Sequence, residues 1–109
     1  MATFIVQGRF SADAIKGLIA KPEDRREAAE KLCTACGGKL KDYYVTTGAN
    51  DFLLIIEADD GEAAVVASMV AAASGAVSNM TTTRAWTSQE FKRMAERAGE
   101  AAGAYTPPG

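Results

Sequence analysis

Cys33-Thr34-Ala35-Cys36 is the stretch of this chain whose spacing carries chemical associations. Cys-x-x-Cys suits a redox pair or half of a zinc site. A redox pair draws thiolate stability from a helix N-terminus. Here the pair closes a helical segment just before Gly37-Gly38, at the end where the dipole disfavours a thiolate. Ala28, Leu32 and Cys36 fall on one helical face with Ala29 and Cys33 beside it, so both thiols extend an apolar stripe, and free Cys packs as a small hydrophobe. Zinc needs two further ligands, and the chain, with two cysteines and no histidine, has no second pair unless an oligomer axis brings one in. The expectation is core packing, with no metal and no cofactor.

Without histidine there is no Ser-His-Asp or Cys-His nucleophile system and no His-ligated zinc, iron or haem. Acid-base chemistry near neutral pH would fall to a perturbed carboxylate, Lys, Tyr or Cys. No catalytic residue is assigned. The more telling polar residues interrupt apolar segments: Gln7, Arg9, Tyr44, Thr46, Thr81, Thr83 and Arg84. In an extended segment Ile5, Gln7 and Arg9 share one face, opposite Phe4, Val6 and Gly8. If the second group lies under helices, the first lines the face where a ligand or partner would sit. An apolar pocket with a few polar groups is the usual form of a small-molecule site. The candidate ligand-binding residues are therefore Gln7, Arg9, Tyr44, Gly48, Asp51 and Arg84. The plainer reading pairs Arg9 and Arg84 with Asp42, Asp51 or Glu57 across the sheet or a dimer seam. An enzyme would need a closed pocket formed by Arg9, Tyr44, Asp51 and Arg84, with a shifted pKa on one of them.

Thr3 to Arg9, rich in β-branched and aromatic residues, predicts a first strand. Ser11 is placed to cap a helix over Ala12 to Ala20, and Pro22 suits the first residue of a second helix that ends at Gly37. Leu40 to Thr46 and Asp51 to Ala58 read as strands folded back around Gly48-Ala49-Asn50-Asp51, where Gly and Asn tolerate positive φ. Phe52-Leu53-Leu54-Ile55-Ile56 is apolar on both faces, so neither side of the sheet can be fully wet there. Glu62 to Ser74 reads as a helix opened by Asp59, Asp60 and Glu62. It is uncharged from Ala63 to Ala73 and therefore suited to burial on more than one side. Val77 to Trp86 is a last strand, and Ser88-Gln89-Glu90 caps a short amphipathic helix to about Arg97. These elements make one domain over residues 1–98, and Gly99 onward reads as a loose tail.

The helices can cover only one face of such a sheet, and in a chain of 109 residues a second copy is the natural cover for the other. A homodimer or higher even-numbered homo-oligomer is the expected state, with a small apolar or aromatic molecule as the expected ligand. Net charge is −2, with no basic stripe for nucleic acid. The N-terminus lacks an export signal, and the apolar run Ala63 to Val77 is shorter than the roughly 20 residues a membrane span requires. The expected location is the cytoplasm, with no membrane partner.

Ala2-Thr3-Phe4-Ile5-Val6-Gln7-Gly8-Arg9-Phe10, Glu30-Lys31-Leu32, Gly37 through Tyr44, Thr46-Thr47-Gly48 with Asp51-Phe52, and Glu57-Ala58 with Glu62-Ala63-Ala64 together resemble the GYD domain family of small bacterial proteins, over roughly Ala2 to Phe91. Gly48 and Asp51 match the glycine and aspartate of the naming motif, and Asn50 stands where the tyrosine would be. The resemblance implies an α+β, ferredoxin-like β-α-β-β-α-β fold with a four-stranded antiparallel sheet, of the dimeric α/β-barrel type and here with an extra C-terminal helix. It implies no reaction. Its functional reading is a homo-oligomeric small-molecule-binding or assembly module; the alternative is a cofactor-free monooxygenase- or isomerase-like enzyme acting on a small aromatic or lactone substrate.

Overall fold

Alternation along the strands sets the architecture. A computed structural model describes residues 1–109, in the order β1 (Ala2–Phe10), α1 (Ala12–Ala20), α2 (Arg26–Ala35), β2 (Lys39–Val45), β3 (Phe52–Ala58), α3 (Gly61–Ala73), β4 (Val77–Ala85) and α4 (Ser88–Ala101), closed by a 3₁₀ turn over Ala102–Ala104. The strands form one antiparallel sheet in the order β2-β3-β1-β4. This is the ferredoxin-like arrangement, with the first and third strands at the centre. No helix is long and apolar enough to cross a membrane.

Phe4 and Val6 on β1 and Phe52, Leu54, Ile56 and Ala58 on β3 are buried beneath the helices, with Leu40 of β2, Cys33 of α2 and Ala64 and Ala67 of α3. Each large side chain among them contributes about 1.5–3 kcal/mol by leaving water. Gly8 marks the tightest point of this layer. A Cβ there would lie 2.5 Å from Met80 Sδ and 2.8 Å from Phe52 Cζ, so glycine lets two large neighbours close over the backbone.

Two bulges adjust the sheet. On β4 the register slips between the pairs Gln7–Thr81 and Arg9–Ser78, with Asn79 at φ 53, a conformation Asn tolerates better than most residues. On β2 it slips between Leu40–Ile56 and Asp42–Ile55. The carbonyl of the intervening Lys41 accepts from Arg26 Nη2 of α2 at 3.2 Å, so a helix side chain supplies a partner beside the disrupted ladder.

Ser11 caps α1 through its hydroxyl, which accepts from Ala14 N–H at 3.1 Å, and Gly37 at φ 88 follows α2. Pro22 does not open α2 as its sequence position predicts. Asp24 Oδ1 accepts from Arg26 N–H at 2.9 Å, and this local bond sets the helix start beyond the proline. At the C-terminal end the helix runs past Arg97 to Ala101 and into the 3₁₀ turn, because alanine-rich sequence favours helix until Pro107 and Pro108. The region read as a tail from Gly99 thus includes the last turn of α4.

Candidate functional site

The loop between β2 and β3 is longer than a tight four-residue turn, and it is tied to β1. Asp51 N–H donates to Gly8 O at 2.8 Å, and Thr46 N–H donates to Asp51 O at 2.8 Å. The Thr46 hydroxyl donates to Asn50 O at 2.8 Å, Asn50 Nδ2 donates to Gln7 Oε1 at 3.1 Å, and Phe10 N–H donates to Asp51 Oδ2 at 2.9 Å. Gly48 at φ 94 makes the bend. This geometry gives Asp51 a definite structural role, since its carboxylate fastens the loop to the end of the central strand. Asn50, standing where the family motif has tyrosine, holds Gln7.

Cross-strand pairing fixes which of the sequence-predicted residues meet. Ile5–Ile55, Gln7–Leu53, Tyr44–Leu53, Thr83–Ile5 and Thr81–Gln7 are directly opposed, so Gln7 and Tyr44 share the face away from the helices with Ile5, Leu53 and Ile55. Arg9 lies on that face too, exposed and opposite Ser78. No helix of the chain packs on this side. Arg84 is opposite Phe4 and therefore on the helix side. Its guanidinium lies 4.3 Å from the Trp86 ring centroid and 5.7 Å from that of Phe4, and it donates to the carbonyls of Thr3 and Ala85. The structure brings Gln7, Tyr44 and Arg9 onto one surface, links Gln7 to the loop through Asn50, and holds Arg84 apart. Within the chain neither Arg9 nor Arg84 forms an ion pair across the sheet; Glu57 is engaged by Lys41 at 3.7 Å.

The most apolar recess lies on the other face, away from the polar strand residues that the sequence singles out. Between the sheet and helices α2 and α3 is a half-open cavity of about 260 Å³, with 16 hydrophobic residues among the 19 that line it. Ala28 and Ala29 of α2 face Ala67 and Ala71 of α3 across it, over a floor that includes Phe52 and Leu54. Small side chains on both helices leave the space that larger ones would fill. The signal in the sequence is the recurrence of alanine at helical spacing in both segments, which is legible only once the two helices are known to be neighbours.

Two ionisable groups on the wall, Cys33 and Tyr43, are held in their neutral forms. Burial pushes the Cys33 thiol up, and negative charge at Cys36 and Glu30 adds to the effect. Burial also pushes the Tyr43 hydroxyl up; Arg25 opposes this and Asp24 reinforces it. Arg25 itself is taken by Glu23 at 2.6 Å. A thiol raised in this way is a poor nucleophile, so the cavity suits holding an apolar molecule better than reacting with one. No cluster of three or more His, Cys, Asp or Glu side chains is placed to hold a metal ion.

Comparison with known proteins fits this architecture. The family model described as "GYD domain" matches residues 4–95. A Thermus thermophilus protein described as "Glutamine synthetase and cystathionine beta-lyase binding protein" is 31% identical over 81 residues, covering 74% of this chain and 85% of its own length. The crystal structure of TTHA0845, also from Thermus thermophilus, superposes with a TM-score of 0.51 at 18% identity, covering 80% of this chain and 95% of its own. That likeness concerns the fold alone.

Proposed function

Because the chain belongs to the GYD domain family, we propose that it is a homo-oligomeric binding module working in the cytoplasm, which holds a small apolar or aromatic molecule between its helices and sheet. The observation that carries this reading is the 260 Å³ cavity with its wall of mostly hydrophobic residues. Sites for small ligands are concave and largely apolar; here Cys33 and Tyr43 favour their neutral forms, and Arg25 is paired with Glu23. A second copy covers the open face of the sheet. Ile5, Leu53 and Ile55 form the centre of that face, with Tyr44 at its side, and burying such a surface against its own copy is the commonest route to a symmetric dimer.

An enzymatic reading is less well supported. Arg9 and Tyr44 stand on the open face, Arg84 behind it, and the Asp51 carboxylate accepts from Phe10 N–H, so the four groups it needs do not enclose a common space. A second binding reading rests on the relative described as binding glutamine synthetase and cystathionine β-lyase. In that reading the module holds an enzyme subunit, and its occupant is a protein.

Native mass spectrometry of the purified protein, set against its denatured mass, tests the proposal. The expected result is an even-numbered oligomer carrying a reproducible small added mass that is lost on denaturation. Ala71→Leu, which fills the cavity, should lower the occupied fraction at least tenfold while leaving the oligomer intact. A monomer with no added mass would overturn the reading. A co-purifying polypeptide in place of a small molecule would favour the protein-binding version.

A further inference from the structure

We propose that α4 is an exchanged arm: it packs through its apolar stripe on the outer face of α3 in a second copy of the chain. This goes beyond the cavity and the open sheet face, because it uses neither.

Helix α4 is well defined locally yet has almost nothing of its own chain to rest on. The Thr87 hydroxyl accepts from Glu90 N–H at 3.0 Å and Glu90 Oε1 accepts from Thr87 N–H at 2.8 Å, a complete capping box. Beyond that start, its one substantial packing partner is the 3₁₀ turn that continues it. The molecule is 61 Å long and only 22 Å across at its narrowest, with a radius of gyration of 17.8 Å, against about 13 Å for a compact domain of about 100 residues. Isolated helices of about 14 residues are marginal in water, so packing is needed to hold this one. Its sequence supplies the means. Phe91, Ala95, Ala98 and Ala102 recur at helical spacing with Met94 beside them, and Phe91 remains 65% exposed.

The same chain carries a matching surface. Helix α3 buries Ala64 and Ala67 toward the sheet and turns Val65, Val66 and Met69 outward, with Met69 65% exposed. Between Ala63 and Ala73 it has no charge to desolvate. The charges at the edges are complementary. Asp59, Asp60 and Glu62 stand at the start of α3, and none makes an ion pair within the chain; Arg93 and Arg97 on α4 make none either. A 14-residue helix presents a strip about 21 Å by 10 Å. Two reciprocal arms, counted on both partners, cover roughly 800 Å², the size of a weak, exchanging contact.

Disulfide trapping distinguishes exchange from folding back. In a Cys36→Ser background, one chain carries Met69→Cys and another Phe91→Cys; the two are mixed, equilibrated and oxidised with copper phenanthroline. The expected product is a species of twice the chain mass, at least fivefold more abundant in the mixture than in either single variant alone. Val66→Cys in place of Met69→Cys guards against an unfavourable thiol geometry. A chain carrying both cysteines that cross-links only within itself, at single mass, would show that α4 folds onto its own α3 and would overturn the proposal. Absence of any cross-link with either α3 position would overturn it as well. Ile55→Lys on the open sheet face should abolish sheet-to-sheet pairing and leave the arm cross-link in place, so failure of one interface is distinguishable from failure of the other.

Discussion

Ile5 and Val6 are neighbours on β1 and face Ile55 and Leu54, neighbours on β3. The four side chains are chemically alike, yet Val6 and Leu54 are buried under the helices while Ile5 and Ile55 face away from every helix of the chain. The difference arises from layers rather than from residue type. A β-α-β-β-α-β chain of this length supplies helices for one face of its sheet, and strands that are apolar on both sides then require a cover from outside. The covered face is complete within one chain, apart from the cavity left by small residues on α2 and α3. The open face, the outer side of α3 and the stripe on α4 have no cover within the chain.

Adjacent truncations sharpen this contrast most strongly. Leu54→Ala should cost about 2–4 kcal/mol of unfolding free energy at any protein concentration, because it enlarges a void in the finished face. Ile55→Ala should cost much less in dilute protein and show its penalty only as concentration rises, since its burial depends on association. Urea unfolding across a hundredfold range of protein concentration reads both. Equal, concentration-independent losses would mean that the two faces are equivalent in the isolated chain.

The strands and their alternation were legible in the sequence because they rest on local periodicity, as were the Ser11 cap, the Gly37 stop and the two-sided apolar character of Phe52 to Ile56. What escaped depended on distant residues. Polarity groups Arg84 with Gln7 and Arg9, but pairing with Phe4 puts it on the opposite face. The loop between β2 and β3 is shaped by bonds to Gly8, Gln7 and Phe10, far away in the sequence, which no local turn rule anticipates. The cavity needs the spacing between α2 and α3. The separation of α4 from the body was illegible too, since an amphipathic stripe looks the same whether its partner is in the same chain or another.

Asp51 bears on the comparison from the loop at the end of β1, next to the open face. If it serves to fasten the loop, Asp51→Ala should destabilise the fold by about 1–2 kcal/mol through the loss of a charge-assisted bond to a backbone amide. Asp51→Asn should recover part of that, because an amide oxygen can still accept from Phe10 N–H. Thermal unfolding measured alongside bound mass separates the roles. Unchanged stability with lost ligand in Asp51→Asn would instead assign the carboxylate to a binding site and move that site from the cavity to the loop.

The smallest effect concerns the arm, and it tests whether the incomplete surfaces respond to pH independently of the finished face. The Thr87 backbone N–H, donating to the Glu90 carboxylate, holds that group below the usual glutamate range, helped by the Thr87 hydroxyl and by Arg84 and Arg93 and opposed by slight desolvation. A folded-state pKa depressed in this way gives stabilisation that is fully present above the unfolded-state pKa and disappears as pH falls through the folded one. Acidification through that window should therefore loosen the first turn of α4 and weaken arm exchange. The exchange cross-link measured as a function of pH, beside the far-ultraviolet signal of the strands, reads the two separately. Glu90→Gln keeps an oxygen that can accept the Thr87 amide but cannot titrate, so its cross-link yield should start lower at neutral pH and lose the acid-side step. A step of the same size in Glu90→Gln would assign the pH dependence to another carboxylate and remove the capping box from the account of the arm.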